Sequence, residues 1–104
     1  MPTFVLTYRR AAGYRPTPRT RAAWTAWFDS IGGQLADQGK PVVAHTVLGD
    51  CGPDSTQPGG YSLIQAGDLE AATAIAKGCP HLEHGGGVEV GELGDVPGTG
   101  DAAG

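Results

Sequence analysis

The sequence predicts an α+β domain made of two successive strand-helix-strand units, joined in one four-stranded antiparallel sheet with two helices on one face. Three observations carry that prediction. Residues 60–93, GYSLIQAGDLEAATAIAKGCPHLEHGGGVEVGEL, read as strand, helix and strand with a signal at each boundary. A second helix is marked upstream by Trp24, Trp27, Phe28, Ile31 and Leu35, which recur at the spacing of a single helical face. The strand segments FVL, VVAHTVL and YSLI are apolar at adjacent positions, so both faces of the sheet need cover. Helices supply it on one side, and a second copy of the chain is the simplest cover for the other.

In chain order, residues 3–8 form the first strand, and RRAAGYRPTPR is a loop broken by Gly13, Pro16 and Pro18. Thr17 and Pro18 suit the cap and first turn of the helix, which Gly39 is expected to close. Gly32 and Gly33 interrupt it at a cost of roughly 1 kcal/mol each relative to alanine. Residues 42–48, VVAHTVL, are expected as the second strand, followed by a polar loop, GDCGPDSTQPGG. Residues 61–65 then form the third strand. Asp68 caps the second helix, Glu70 places negative charge in its first turn, and Lys77, Gly78 and Pro80 end it. Val88, Val90 and Leu93 mark the last strand, and residues 94–104, GDVPGTGDAAG, have too little apolar surface to fold.

Composition narrows the function classes. At 104 residues the chain is one domain, residues 1–93, with a disordered tail. Net charge is −4, and five arginines precede the first acidic residue, Asp29; from Asp29 onward two lysines stand against eleven acids. Such a balance disfavours nucleic-acid binding, which depends on clustered cations to neutralise phosphates. No run reaches the length of a membrane span and the arginines follow the first apolar run, so a cytoplasmic protein without membrane association is expected. Cys51 and Cys79 make neither a disulfide framework nor a paired-cysteine metal spacing, and no cofactor is expected.

The segment GGYSLIQAGDLEAATAIAKGCPHLEHGGGVEV resembles the C-terminal half of the YCII-related (DGPF-domain) family: a GYYLI-type strand, an acid-capped helix ending in a GCP-type turn, and a GG-x-VEV strand. The resemblance implies a ferredoxin-like fold, β1-α1-β2-β3-α2-β4, paired into a dimeric α+β barrel, and implies no defined reaction. Many relatives carry a DGPF-type hairpin where this chain has Cys51, Gly52, Pro53 and Asp54, so both ends of that motif are changed. Some members of the wider family pair a histidine of the first helix with an aspartate near its end. Asp37 matches the aspartate, but residues 17–39 contain no histidine.

Several side chains are candidates for chemistry. His45, inside an apolar strand, is either a general acid or base tuned by burial or a core histidine bonded to backbone. Asp50 is its nearest candidate partner, yet five residues of strand separate their backbones by about 16 Å. Contact therefore requires the loop to fold back or the second copy to supply its own Asp50. His81 and His84 bracket Glu83 and can bind a ligand or share a metal, though HxxH without a further fixed ligand is a weak metal signal and no metal is expected. Arg9 and Arg10 at the end of the first strand, with Tyr14 and Arg15 in the loop beyond, can hold a carboxylate or phosphate through one or two of their side chains, or lie solvated. Tyr8 and Tyr61 can line a pocket or pack in the core. The expected function is binding of a small organic molecule in a homodimeric barrel, with histidine acid-base chemistry on it. A non-catalytic interaction module is the alternative.

Overall fold

The structure is a computed structural model in which residues 1–95 are described. Strand β1 spans Thr3–Ala11, helix α1 Pro18–Ser30, and strand β2 Leu35–Asp37. Strand β3 spans Thr56–Gln65, helix α2 Leu69–Ala76, and strand β4 Gly87–Glu92. A short 3-10 turn, Pro80–Glu83, connects α2 to β4. The sheet is antiparallel throughout, in the order β2-β3-β1-β4, so the two longest strands lie at its centre.

Alternation along β1 sorts the molecule into two sides. Phe4, Leu6 and Tyr8 are buried and share one cluster with Ile64 of β3, Trp27 and Ile31 at α1, and Ala72 and Ala76 of α2. Both helices therefore cover the same face. On the other face Val5 and Leu63 pair across the strands and are half-buried, while Thr7 and its partners Tyr61 and Glu89 are exposed.

Helix α1 begins as the sequence predicts. The Thr17 side chain accepts a hydrogen bond from the Thr20 backbone N–H at 3.1 Å, and the Thr17 N–H donates to the Thr20 hydroxyl at 2.8 Å. This is a capping box built from two threonines. The helix ends at Ser30, well before Gly39. The double glycine Gly32–Gly33 follows its last turn, where the cost of glycine in a helix stops propagation. Leu35, expected as the end of the helical stripe, instead opens β2 opposite Ile64.

The second correction concerns residues 42–48. They form no strand and, apart from Val42, are exposed. The Val42 N–H donates to the Gly59 carbonyl at 3.1 Å and Pro41 makes an isolated bridge to Gly60, after which the segment leaves the sheet. Its hydrophobic residues do not rescue it, since Val43, Val47 and Leu48 have no strand beside them among the described residues. Pairing falls instead to Thr56–Gly60, ahead of the expected start of the third strand. The expectation of a disordered tail lies outside the described residues from position 96 onward.

Candidate functional site

A cleft of about 440 Å³ opens between α1, the far end of β1 and the segment following β2. Its position follows from strand parity. Arg10 continues the inward series Phe4, Leu6, Tyr8, so Tyr8 and Arg10 both reach the helix side and line the cleft. Trp24 and Phe28 reach it from α1, Tyr14 from the loop before α1, and His81 from the 3-10 turn.

His81 is held there by glycine. Its carbonyl accepts from the backbone N–H groups of His84 at 3.1 Å and Gly86 at 2.9 Å, closing the turn. A Cβ on Gly86 would come within 2.3 Å of the Arg9 carbonyl oxygen, so only glycine lets the turn lie against the end of β1. Gly59 plays the matching part on β3, where a Cβ would stand 3.3 Å from His81 Nε2. The register of β1 against β3 shifts between Tyr8 and Arg9, pairing Gly60 and then Pro58, which leaves Gly59 as the extra residue of a bulge beside the histidine.

The imidazole sits in an aromatic enclosure. Its centroid is 4.9 Å from the Tyr14 ring and 5.0 Å from Trp24, both edge-on, and Tyr8 is 4.9 Å from Trp24. His81 is only 6 % exposed, and its buried Nδ1 finds no hydrogen-bond partner among the described residues. Burial pushes the imidazole pKa below its usual value, and the nearby charges of His84 and Arg10 push the same way. The ring is therefore neutral at neutral pH and can accept a proton. Tyr8 shows the opposite response to the same dryness: burial raises its phenol well above the ordinary range, although a hydrogen bond to Ser62 opposes the shift. The Tyr8 hydroxyl donates to Ser62 Oγ at 2.8 Å, and Ser62 donates to the Gln38 carbonyl at 2.6 Å.

The sequence candidates divide between two places. Tyr8 and His81 come together in the cleft, while Tyr61, of opposite strand parity and 39 % exposed, borders it only at the β3 edge. His84 is exposed one turn away, its ring 6.2 Å from Tyr14. Arg9 points to the opposite side of the sheet from Arg10; it donates to the Thr56 hydroxyl at 3.2 Å and to the Thr56 carbonyl at 3.0 Å. His45 and Asp50 belong to the exposed segment, not to a buried strand, and the Asp50 carboxylate accepts from the Gly52 N–H at 3.0 Å. His45 lines a smaller hollow that also contains Arg9 and Cys51. Among the described residues no group of three or more His, Cys, Asp or Glu is placed to hold a metal ion. Asp37 accepts from the Gly39 N–H at 2.8 Å and is exposed.

Arg10 and Tyr14, read in the sequence as part of a possible anion-binding segment, and Trp24, read there only as part of a helix's apolar stripe, are cleft residues, and Lys40 is one that the sequence alone does not single out. Parity along the first strand would have placed Arg10 with Tyr8. Tyr14 and Lys40 lie in loops, where no periodicity announces them.

The YCII-related domain family matches residues 1–93. The chain belongs to that family. Among solved structures it is similar to the 5-chloro-2-hydroxyhydroquinone dehydrochlorinase TftG of Burkholderia phenoliruptrix AC1100, determined in complex with 2,5-dihydroxybenzoquinone. The superposition has a TM-score of 0.56 at 17% identity and covers 88% of this chain and 93% of the other. At that identity the likeness shows a common fold. No curated protein matches the sequence. No helix of the described residues in this YCII-related chain is long and apolar enough to cross a membrane.

Proposed function

We propose that this YCII-related protein binds a small organic molecule in the aromatic cleft, and that His81 accepts a proton from the bound molecule. The observation that carries this reading is the neutral, buried His81 imidazole on the wall of an open cleft, with Nδ1 unpartnered among the described residues. A buried polar atom without a partner costs about 1–3 kcal/mol, so keeping this ring against the cleft calls for a reason. Nδ1 itself is sealed from the cleft, and a ligand there meets the rest of the imidazole. The proton in question is an acidic O–H or activated C–H of the ligand. It passes to an imidazole nitrogen, leaving a ligand anion and an imidazolium.

The working form is a homodimer. Among the described residues nothing covers the Val5, Leu63 and Tyr61 face of the sheet, and Val43 and Leu48 are 89% and 84% exposed. Two copies facing each other through that surface remove it from water. The same exposed residues favour the second reading, an interaction module that meets another protein and performs no chemistry.

The test is histidine-resolved NMR on the native protein, with its mass in solution measured by light scattering. Mono- and bicyclic aromatic molecules, charged and neutral, are added, including the 2,5-dihydroxybenzoquinone bound by TftG. At least one is expected to move the His81 ring resonances and leave those of His45 in place. If none of them moves His81, the small-molecule reading falls and the interaction module replaces it.

A further inference from the structure

The cleft has a charge that the chain as a whole does not share. The protein is acidic, with 11 Asp and Glu against 7 Lys and Arg. Among the residues lining the cleft, Arg10, Arg21 and Lys40 supply three cations, and no Asp or Glu is present. They come from three separate segments: the end of β1, the second turn of α1, and the loop after β2.

Lys40 is brought there by fixed geometry. Gly39 has a φ of +74°, and a Cβ on it would overlap the Tyr61 carbonyl. Gly60, with φ +148°, would clash with the Lys40 carbonyl if it carried a Cβ. Two glycines on facing segments thus let the Lys40 backbone lie on β3, where its carbonyl accepts from the Tyr61 N–H at 3.3 Å. Arg10 is half-buried. A guanidinium drawn out of water is stabilised when an anion and its hydrogen-bond acceptors come to it.

The walls add a shape. Tyr14 and Trp24 are planar and each edge-on to the His81 ring, a set of surfaces that favours a flat ring over a saturated chain. The volume lies toward the small end of the roughly 300–1,000 Å³ usual for pockets that hold small organic ligands.

Building on the reading of this cleft as a small-molecule site, we propose that its ligand is a planar aromatic anion, its ring held by Tyr14 and Trp24 and its charged oxygen by Arg10 and Lys40. The charged oxygen belongs to a carboxylate or to an ionised ring hydroxyl. Both present the same acceptor to a guanidinium, and separate probes distinguish them.

The experiment titrates four probes into the full chain: 2-naphthoate, 2-naphthol, the neutral 2-naphthamide and the saturated decalin-2-carboxylate. Binding is read from tryptophan fluorescence and from His81 resonances. Naphthoate is expected to bind about tenfold more tightly than naphthamide, and the gap is expected to shrink with added salt. Naphthol is expected to strengthen toward naphthoate only as pH rises toward about 10, where a phenol ionises. Lys40→Gln, a change at an exposed residue, should lower naphthoate affinity several-fold and leave naphthamide unchanged, and Arg10→Gln should do so more strongly. Equal binding of naphthamide and naphthoate overturns the anionic assignment while leaving the small-molecule site standing. Equal binding of the decalin acid overturns the planar one. If all four fail to move His81, this inference fails together with the broader reading on which it rests.

Discussion

His45 and His81 both stand among apolar neighbours in the sequence, VVAHTVL and GCPHLEH, yet the fold treats them oppositely. His81 is buried to 6% exposure and ringed by Tyr14, Trp24 and Tyr8, whereas His45 lies in an exposed segment. Local hydrophobicity does not separate them. The glycines that follow His81 do, because they let backbone approach backbone and press the turn onto β1. The segment around His45 has no second strand to close upon among the described residues. A histidine becomes a candidate for chemistry when distant parts of the chain converge on it.

Breaking the glycine support should produce the largest effect. Gly86→Ala puts a methyl group against the Arg9 carbonyl, so the turn must move, and stability should fall by about 1–3 kcal/mol in denaturant unfolding. The His81 resonances should shift with it. Unchanged stability would mean that the turn is not pinned as described.

A medium effect is expected from pH. The folded-state pKa of His81 lies below its unfolded value of about 6.5, so the unfolded chain binds more protons between the two. The contribution of the neutral ring is complete above about 6.5 and is lost as pH falls from there toward the folded value. Thermal unfolding midpoints of the native protein should therefore drop more steeply over that interval than those of His81→Gln, which cannot titrate. Parallel curves would show that burial does not hold the ring neutral.

The smallest effect sharpens the contrast. His45→Ala removes an exposed side chain and should alter stability by no more than about 0.5 kcal/mol, with His81 unmoved. A larger loss, especially one that depends on protein concentration, would place His45 in the contact between two copies.

The legible parts of the fold are those with local punctuation. Thr17 with Pro18 fixed the start of α1, and Asp68 with the Lys77–Pro80 stop bounded α2. Leu35 misled because position i+11 of a helical stripe looks the same whether the helix continues or a strand begins. The apolar run at residues 42–48 misled because strand content says nothing about whether a neighbour is available for pairing. Thr56–Pro58 stayed hidden because Gln, Pro and Gly resemble a turn, and pairing with β1 overrides that preference. At the site, Tyr8 and His81 were legible as residue types with chemistry, but their meeting depends on the bulge at Gly59 and the turn at Gly86. Arg9 and Arg10 are equivalent anion ligands by sequence, and strand parity decides between them by turning Arg9 away from the cleft and Arg10 into it.

The hydroxyl chain from Tyr8 through Ser62 to Gln38 has a direction. A carbonyl oxygen can only accept, so the serine proton is committed to Gln38 and the phenolic proton to serine. The traffic is one-way, and its last stop is backbone. Tyr8 has lone pairs to offer a visitor but no spare hydrogen, and its raised pKa makes surrender of that hydrogen harder still. In this wall of the cleft the phenol listens for donors, and any movement of a proton is left to the imidazole opposite.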